Sequence, residues 1–225
     1  MKSPIAWDSP LYTIQSSLWK SVQKHADRLE GRLLDIGCGQ QPYRSLLTRV
    51  TNYVGLDLPK GQAPGVTVDV YGSAMTLPFA DNSFDSLISS EVLEHLPEPG
   101  QALTEAARVS RPGAWLLLTV PWLWPVHAAP HDFYRYTPFG LRYLLEKSGF
   151  RVESIEKTGG LVAAAGQRLA GGLAYGLGTE NRPLLRKPGR LAGAGIQRGA
   201  IWLDRHLGHP GESLNYVVLA QKQPD

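Results

Sequence analysis

LLDIGCGQQP, Leu33–Pro42, runs from an apolar strand-like stretch into two glycines set two positions apart. A strand that ends on Gly37 and Gly39 lets bare backbone pass close to a ligand just where the next element begins. A dinucleotide fingerprint would need a third glycine three residues after the second; position 42 is proline, so a nicotinamide or flavin cofactor is disfavoured. No phosphate loop ending in Gly-Lys followed by Ser or Thr is present, which argues against a nucleotide triphosphatase. A nucleoside-like ligand without a pyrophosphate remains.

Working outward, a second strand, NYVGLD, ends on Asp57. An acid at the end of the second strand can accept hydrogen bonds from both hydroxyls of a ribose lying across the strand ends. Asp35, at the mouth of the first strand, can orient the glycine loop or pair with an ammonium group. Apolar runs then alternate with helical patterns, the signature of a mostly parallel sheet covered on both faces. Strands are expected at Arg32–Gly37, Asn52–Asp57, Val66–Val70, Ser86–Ser90, Ala114–Val120, Arg151–Lys157 and Asn215–Lys222.

Between them, Tyr43–Arg49 reads as a short helix. A longer helix has Pro99 near its start and Gly113 just beyond its end, and Ala102, Leu103, Ala106, Ala107 and Val109 form one buried stripe. Thr137 reads as an N-cap with Pro138 at the first helical position, and the helix stops at Gly149. Leu18, Val22, His25 and Leu29 mark an N-terminal helix, with His25 half-buried. Gly159–Gly211 is rich in glycine, alanine and arginine and reads as an insertion. Its segment Gly189–Leu207 places Ile196, Ala200, Leu203 and Leu207 on one helical face, with Trp202 beside them.

The 225 residues, 43% of them hydrophobic, can bury a sizeable core. The N-terminus has no apolar core of signal-peptide type and no apolar stretch is long enough to span a bilayer, so a cytoplasmic protein is expected. Cys38 is the single cysteine, which excludes a disulfide framework and a cysteine-rich zinc or iron–sulfur site. The net charge of +3 is too small to signal nucleic-acid binding. Seven basic residues against three acidic ones lie between Gly160 and Glu212, an excess that suits an acidic substrate, an anionic membrane surface or a solvated basic face.

LLDIGCGQQP, YVGLD, LPFADNSFDSLISSEVLEHL and the TVP of Thr119–Pro121 together resemble the class I S-adenosylmethionine-dependent methyltransferases, in particular the type 11 group. The resemblance covers about Leu33 to Lys157, and the last strand resumes at Asn215. It implies an α/β, Rossmann-like, seven-stranded and mostly parallel sheet with helices on both faces and the last strand antiparallel. It implies S-adenosylmethionine as cofactor, with Asp35, Gly37 and Gly39 at the methionine part and Asp57 and Leu58 at the ribose. Ala74, Met75 and Leu77 would lie near the adenine, while Ser90 and Glu91 would close the site. Two positions depart from the group's habit: Ser73 stands where an acid commonly accepts from the adenine amine, and Gln41 where a third glycine is often seen. The chain then divides into an N-terminal helical segment (1–30), the cofactor domain (31–158 and 213–225) and a helical insertion (159–212) acting as lid or acceptor platform.

HAAPHDFYRYTP, His127–Pro138, follows the fifth strand at the rim where open α/β sheets bind ligands. Methylating an alcohol needs a base for its proton, and histidine suits that near neutral pH. His131 or His127 is therefore the expected base, with Asp132 orienting an imidazole and Tyr134, Arg135 and Tyr136 shaping the acceptor pocket. The plainer alternative is an Asp132–Arg135 ion pair holding a loop above packed rings. In SSEVLEHL, Glu91 and His95 fall on one helical face, but no third convergent ligand is apparent, so no metal is expected. The expected function is O-methylation of a small-molecule, sugar or lipid-linked glycan acceptor. The alternatives are N- or C-methylation of a natural-product or quinone-like acceptor, and a non-catalytic cofactor-binding module whose insertion docks on a membrane or partner. Oligomeric state is not legible.

Overall fold

The computed structural model describes residues 5–59, 68–176, 178, 181–207 and 213–224. In these residues the strands are β1 (Gly31–Ile36), β2 (Val50–Asp57), β3 (Val70–Tyr71), β4 (Phe84–Ser90), β5 (Ser110–Pro121), β6 (Phe150–Thr158) and β7 (Asn215–Lys222). They form one seven-stranded sheet in the order β3-β2-β1-β4-β5-β7-β6. β1 pairs in parallel with β2 and β4, β2 with β3, and β4 with β5. β7 runs antiparallel to β6, as backbone bonds from Leu214 to Thr158 and from Gln223 to Gly149 require. Strands buried on both faces read as near-continuous apolar runs, and Leu33, Leu34, Leu87, Leu116 and Leu117 are completely covered. The register pairs Ile36 with Leu56, Asp57 with Tyr71 and Ser90 with Thr119. The carboxyl ends of the first five strands thus share one rim, the place where such sheets bind ligands.

The helices are α1 (Tyr12–His25), α2 (Pro99–Val109), α3 (Pro138–Lys147), α4 (Leu161–Gly171) and α5 (Pro183–Leu207). The Thr137 hydroxyl accepts from the Gly140 amide and caps α3, and α2 buries the expected stripe from Ala102 to Val109. Several expectations change. Tyr43–Arg49 is only a single 3-10 turn, Arg44–Leu46. Val66 and Thr67 lie outside the described residues, and the described third strand is Val70–Tyr71. Gly113 does not stop α2, which gives way to β5 at Ser110; with φ +83 it lies inside that strand, within the register shift between the Phe84–Ser110 and Ser86–Trp115 pairs. His25 is buried and its Nε2 lies 3.1 Å from the Glu156 carboxylate.

The chain divides into two compact units, Met1–Ser21 with Lys157–Asn215 and Val22–Glu156 with Tyr216–Asp225. The first unit is built on α4 and α5. A Cβ at Gly166 would lie 2.2 Å from the Ala200 Cβ, so the two helices touch backbone to backbone there. Gln197 is buried between them and α1: its side-chain oxygen accepts from the Thr13 amide and hydroxyl, and its nitrogen donates to the Ser9 carbonyl. Asp204 accepts from the amides of Gly160, Val162 and Ala163, satisfying the first turn of α4 from outside that helix. The buried face of α5 is therefore Gly193, Ala194, Gln197 and Ala200. Of the expected apolar face Ala200 is buried and Ile196 partly so, whereas Leu203 and Leu207, with Trp202 beside them, are exposed, because close crossing selects small residues instead of large ones.

Candidate functional site

The loop after β1 is built around positive φ angles, +71 at Gly37 and +46 at Gly39. Its amides at Gly37 and Cys38 both donate to the Leu56 carbonyl, at 2.8 and 3.0 Å, which ties the loop to the end of β2. A Cβ at Gly37 would lie 2.4 Å from Val92 Cγ2. Gly37→Ala is therefore expected to destabilise the chain by about 1–3 kcal/mol through strain and overpacking. A thermal melt lowered by several degrees relative to the parent chain checks this, and an unchanged melt would show that the loop has room.

Asp57 closes β2, and its carboxylate is pinned by two backbone donors, Gly39 N at 2.8 Å and Leu58 N at 2.7 Å. Each carboxylate oxygen keeps lone pairs for further donors. Asp35 is buried and accepts from the Tyr53 hydroxyl. Burial, with help from the Asp57 charge, pushes its carboxyl up to about 7 against the opposing Tyr53 hydrogen bond. Because the folded value exceeds the unfolded one, near 4, the stability contributed by neutral Asp35 is lost as pH rises through about 7. Asp35→Asn is accordingly expected to melt above the parent chain at pH 8 and close to it at pH 5; melting curves that keep the same offset at both pH values would contradict this.

Beside this loop opens a cavity of about 560 Å3, within the range of small-molecule sites. Gly37, Leu56, Asp57 and Leu58 form one side, Gly72 to Met75 a second, and Glu91 to Val92 with His95 to Pro97 a third; His131 completes the rim. Ser73 lines the cavity, and its hydroxyl accepts from the Met75 amide at 3.1 Å. Glu91 sits at φ +56, unusual for a residue with a side chain. Its carboxylate accepts from the Thr119 hydroxyl, which also contacts Ser90, each at 2.8 Å.

Leu93–His95 is one 3-10 turn and not a helix, because Pro97 biases Leu96 toward the extended conformation it adopts. The loop Phe133–Tyr136 is stapled onto that turn. The Phe133 and Tyr134 amides donate to the Glu94 carbonyl, the Tyr136 hydroxyl to Leu93 O and the Tyr134 hydroxyl to Pro97 O. Arg135 embraces Asp132 with two bonds, at 2.7 and 2.8 Å, and this ion pair holds the Asp132 carboxyl well below the usual range. One consequence could not be read locally. The Glu94 side chain is completely buried, and its Oε1 lies 3.6 Å from His95 Nε2 and 3.9 Å from His127 Nε2. Burial, then the nearby Glu91 charge, pushes the Glu94 carboxyl up to about 8.

Of the residues expected at a cofactor, Gly37, Asp57, Leu58, Ala74, Met75 and Glu91 line the cavity. Asp35 and Leu77 are buried outside its lining, Gly39 stands at the loop edge holding Asp57, and Ser90 lies in the hydroxyl chain behind Glu91. His131 is exposed and on the rim, whereas His127 is turned toward Glu94. Asp132 does reach the His127 ring, at 3.3 Å, but its main partner is Arg135. Tyr134, Arg135 and Tyr136 brace the loop and are not on the cavity wall. The expected Glu91–His95 pairing on one helical face does not form, since Leu93–His95 is a single 3-10 turn; among the described residues, ligand atoms of Glu94, His95 and His127 all lie within 4.8 Å of one another.

Residues 34–118 match the model of a methyltransferase domain family, type 11. An uncharacterized methyltransferase of Mycolicibacterium paratuberculosis is 38% identical over 119 residues, covering 48% of this chain and 46% of that protein. A fatty-acid O-methyltransferase of Mycolicibacterium smegmatis is 33% identical over 131 residues, covering 53% and 47%. The chain thus spans about half the length of the curated relatives it matches. Among solved structures, the 4+2 cyclase SpnF aligns with TM-score 0.64 and 21% identity over 99% of this chain and 86% of that one. An S-adenosylmethionine-dependent methyltransferase of Mesorhizobium loti aligns with TM-score 0.58 and 16% identity over 92% and 98%. At such identities the structural likeness speaks for the fold alone.

Proposed function

We propose that the chain, whose residues 34–118 match the type 11 methyltransferase domain model, is an S-adenosylmethionine-dependent methyltransferase acting on a hydroxyl oxygen of a small-molecule, sugar or lipid-linked glycan acceptor. The observation that carries this reading is the pairing, on one cavity, of a fixed carboxylate at the end of β2 with the exposed imidazole of His131. The residues fit the cofactor. Gly37 leaves backbone bare where any side chain would collide with Val92, Asp57 is held with lone pairs to spare for a ribose, and the Gly72–Met75 wall offers backbone groups for a purine edge. Asp35, as a carboxylate, would balance an ammonium group from beneath the loop.

When bound, the cofactor would supply a methyl group on a sulfonium, with a neutral thioether as the leaving group. The chain's part is to hold the acceptor oxygen in line with that methyl group and to remove the hydroxyl proton. His131 does the second from the rim, its carbonyl fixed by His95 and its exposed ring beside Phe133. The name of the Mycolicibacterium smegmatis relative, a fatty-acid O-methyltransferase, favours oxygen as the receiving atom. The test is product analysis with S-adenosylmethionine and a panel of alcohols, carboxylates and amines. Methylated oxygen is expected; transfer to nitrogen or carbon alone would overturn the acceptor class.

A further inference from the structure

We infer that Glu94, His95 and His127 form a binding site for a divalent transition-metal cation of the zinc type at the edge of the cavity. The ligand set is one carboxylate and two imidazoles, the donors such ions prefer when one position is kept open. Metal bonds of about 2.0–2.2 Å place tetrahedral ligand atoms roughly 3.3–3.5 Å apart. The Glu94 oxygen is already 3.6 and 3.9 Å from the two imidazole nitrogens and all three ligand atoms lie within 4.8 Å of one another, so closure around an ion needs shifts of up to about an ångström, within reach of side-chain rotation.

Three further observations point to a cation and not to a packed cluster. Both Glu94 carboxylate oxygens are buried without a hydrogen-bond partner, in a side chain with no solvent exposure. A carboxylate taken out of water demands a proton or a counter-charge, and neither histidine is close enough to bond it. The tautomers are also set for metal binding. His95 Nδ1 lies 2.6 Å from the His131 carbonyl, so that nitrogen carries the proton and Nε2 keeps its lone pair. His127 Nδ1 lies 3.3 Å from both Pro125 O and an Asp132 oxygen, closer than the 3.5 Å to Arg135 Nη2. It therefore donates as well, and its Nε2 lone pair also faces Glu94. Histidines that ligate metals donate their other ring N–H to a carbonyl or carboxylate in this way.

Finally, His95 belongs to the cavity wall, so an ion held by its imidazole would lie beside the cavity. That part rests on the methyl-transfer reading: a cation there would bind an acceptor oxygen and polarise it as a Lewis acid. The site itself does not depend on that reading.

The experiment is calorimetric titration of the EDTA-treated, dialysed chain with Zn2+, repeated with Co2+ while recording the visible spectrum, both without S-adenosylmethionine. One equivalent is expected, with the absorption of a four- or five-coordinate Co2+ ion. His95→Gln, His127→Gln and Glu94→Gln should each weaken binding by more than about 100-fold, and Asp132→Asn, one shell further out, by roughly tenfold. His206→Gln, on α5, should leave it unchanged. Glu94→Gln guards against misfolding, since it keeps the shape of a side chain whose ionised form burial disfavours, and it is expected to melt no lower than the metal-free parent. Absence of stoichiometric binding to the parent chain, or binding untouched by the three ligand substitutions, would overturn the site whether or not S-adenosylmethionine binds.

Discussion

Asp57→Ala is expected to weaken S-adenosylmethionine binding by roughly 100-fold or more, while leaving the chain folded. The carboxylate is fixed by the Gly39 and Leu58 amides, so it reaches a ribose already oriented, and hydrogen bonds to a charged acceptor contribute about 1.5–3 kcal/mol each. Losing two of them exceeds the 2.7 kcal/mol that corresponds to about 100-fold. The substitution also strands the two amides, which adds a desolvation cost in the bound state. Titration calorimetry on the parent and the variant reads the ratio directly. An affinity within a few-fold of the parent would remove Asp57 from the cofactor site, and with it the reason for placing a nucleoside there.

His131→Ala is expected to lower turnover by roughly 100- to 10,000-fold, the range that a positioned general base contributes, with S-adenosylmethionine affinity retained. The substitution is clean in structural terms. The His131 group that fixes His95 is its backbone carbonyl, and its amide bonds Ala128 O; neither depends on the imidazole. Measured with an acceptor that the parent chain methylates, a fall in kcat without a fall in cofactor affinity supports a base on the rim. Undiminished kcat would leave positioning as the chain's whole contribution.

The sheet was legible because its signals are local. An apolar run that ends on Gly37 and Gly39, an aspartate ending the second strand, and Thr137-Pro138 at a helix start each follow from backbone chemistry within a few residues. The cluster beside the cavity was not legible, because its geometry comes from a turn that ends early. Had Glu91–Leu96 been helical, Glu91 and His95 would have shared a face. The extended Leu96 before Pro97 instead leaves a 3-10 turn that drives Glu94 inward. His127 then arrives from a loop 33 positions later, a contact no periodicity contains.

Tyr134 and Tyr136 misled for another reason. A rim position and an aromatic ring suit a pocket, yet their hydroxyls are spent on the Pro97 and Leu93 carbonyls. The buried Tyr136 needs such a partner, while the exposed Tyr134 reaches back to the same turn, and a turn with carbonyls outside any helix was the signal that could have supplied it. On α5 the large residues Leu203 and Leu207 set an apparent apolar stripe, whereas the glycines and alanines facing α4 carried the packing. Small residues at close helix crossings leave a weaker hydrophobic pattern than leucines do, although Gly166 and Ala200 mark the contact.

The most direct measurement is calorimetric titration of the folded chain with S-adenosylmethionine and S-adenosylhomocysteine, with NADH as control. Saturable one-to-one binding of the first two at micromolar concentration, with none of NADH, is expected from the Gly37 cradle, the pinned Asp57 and a cavity lined by both. Failure of both to bind a chain whose thermal melt shows it folded would contradict the methyltransferase reading at its base.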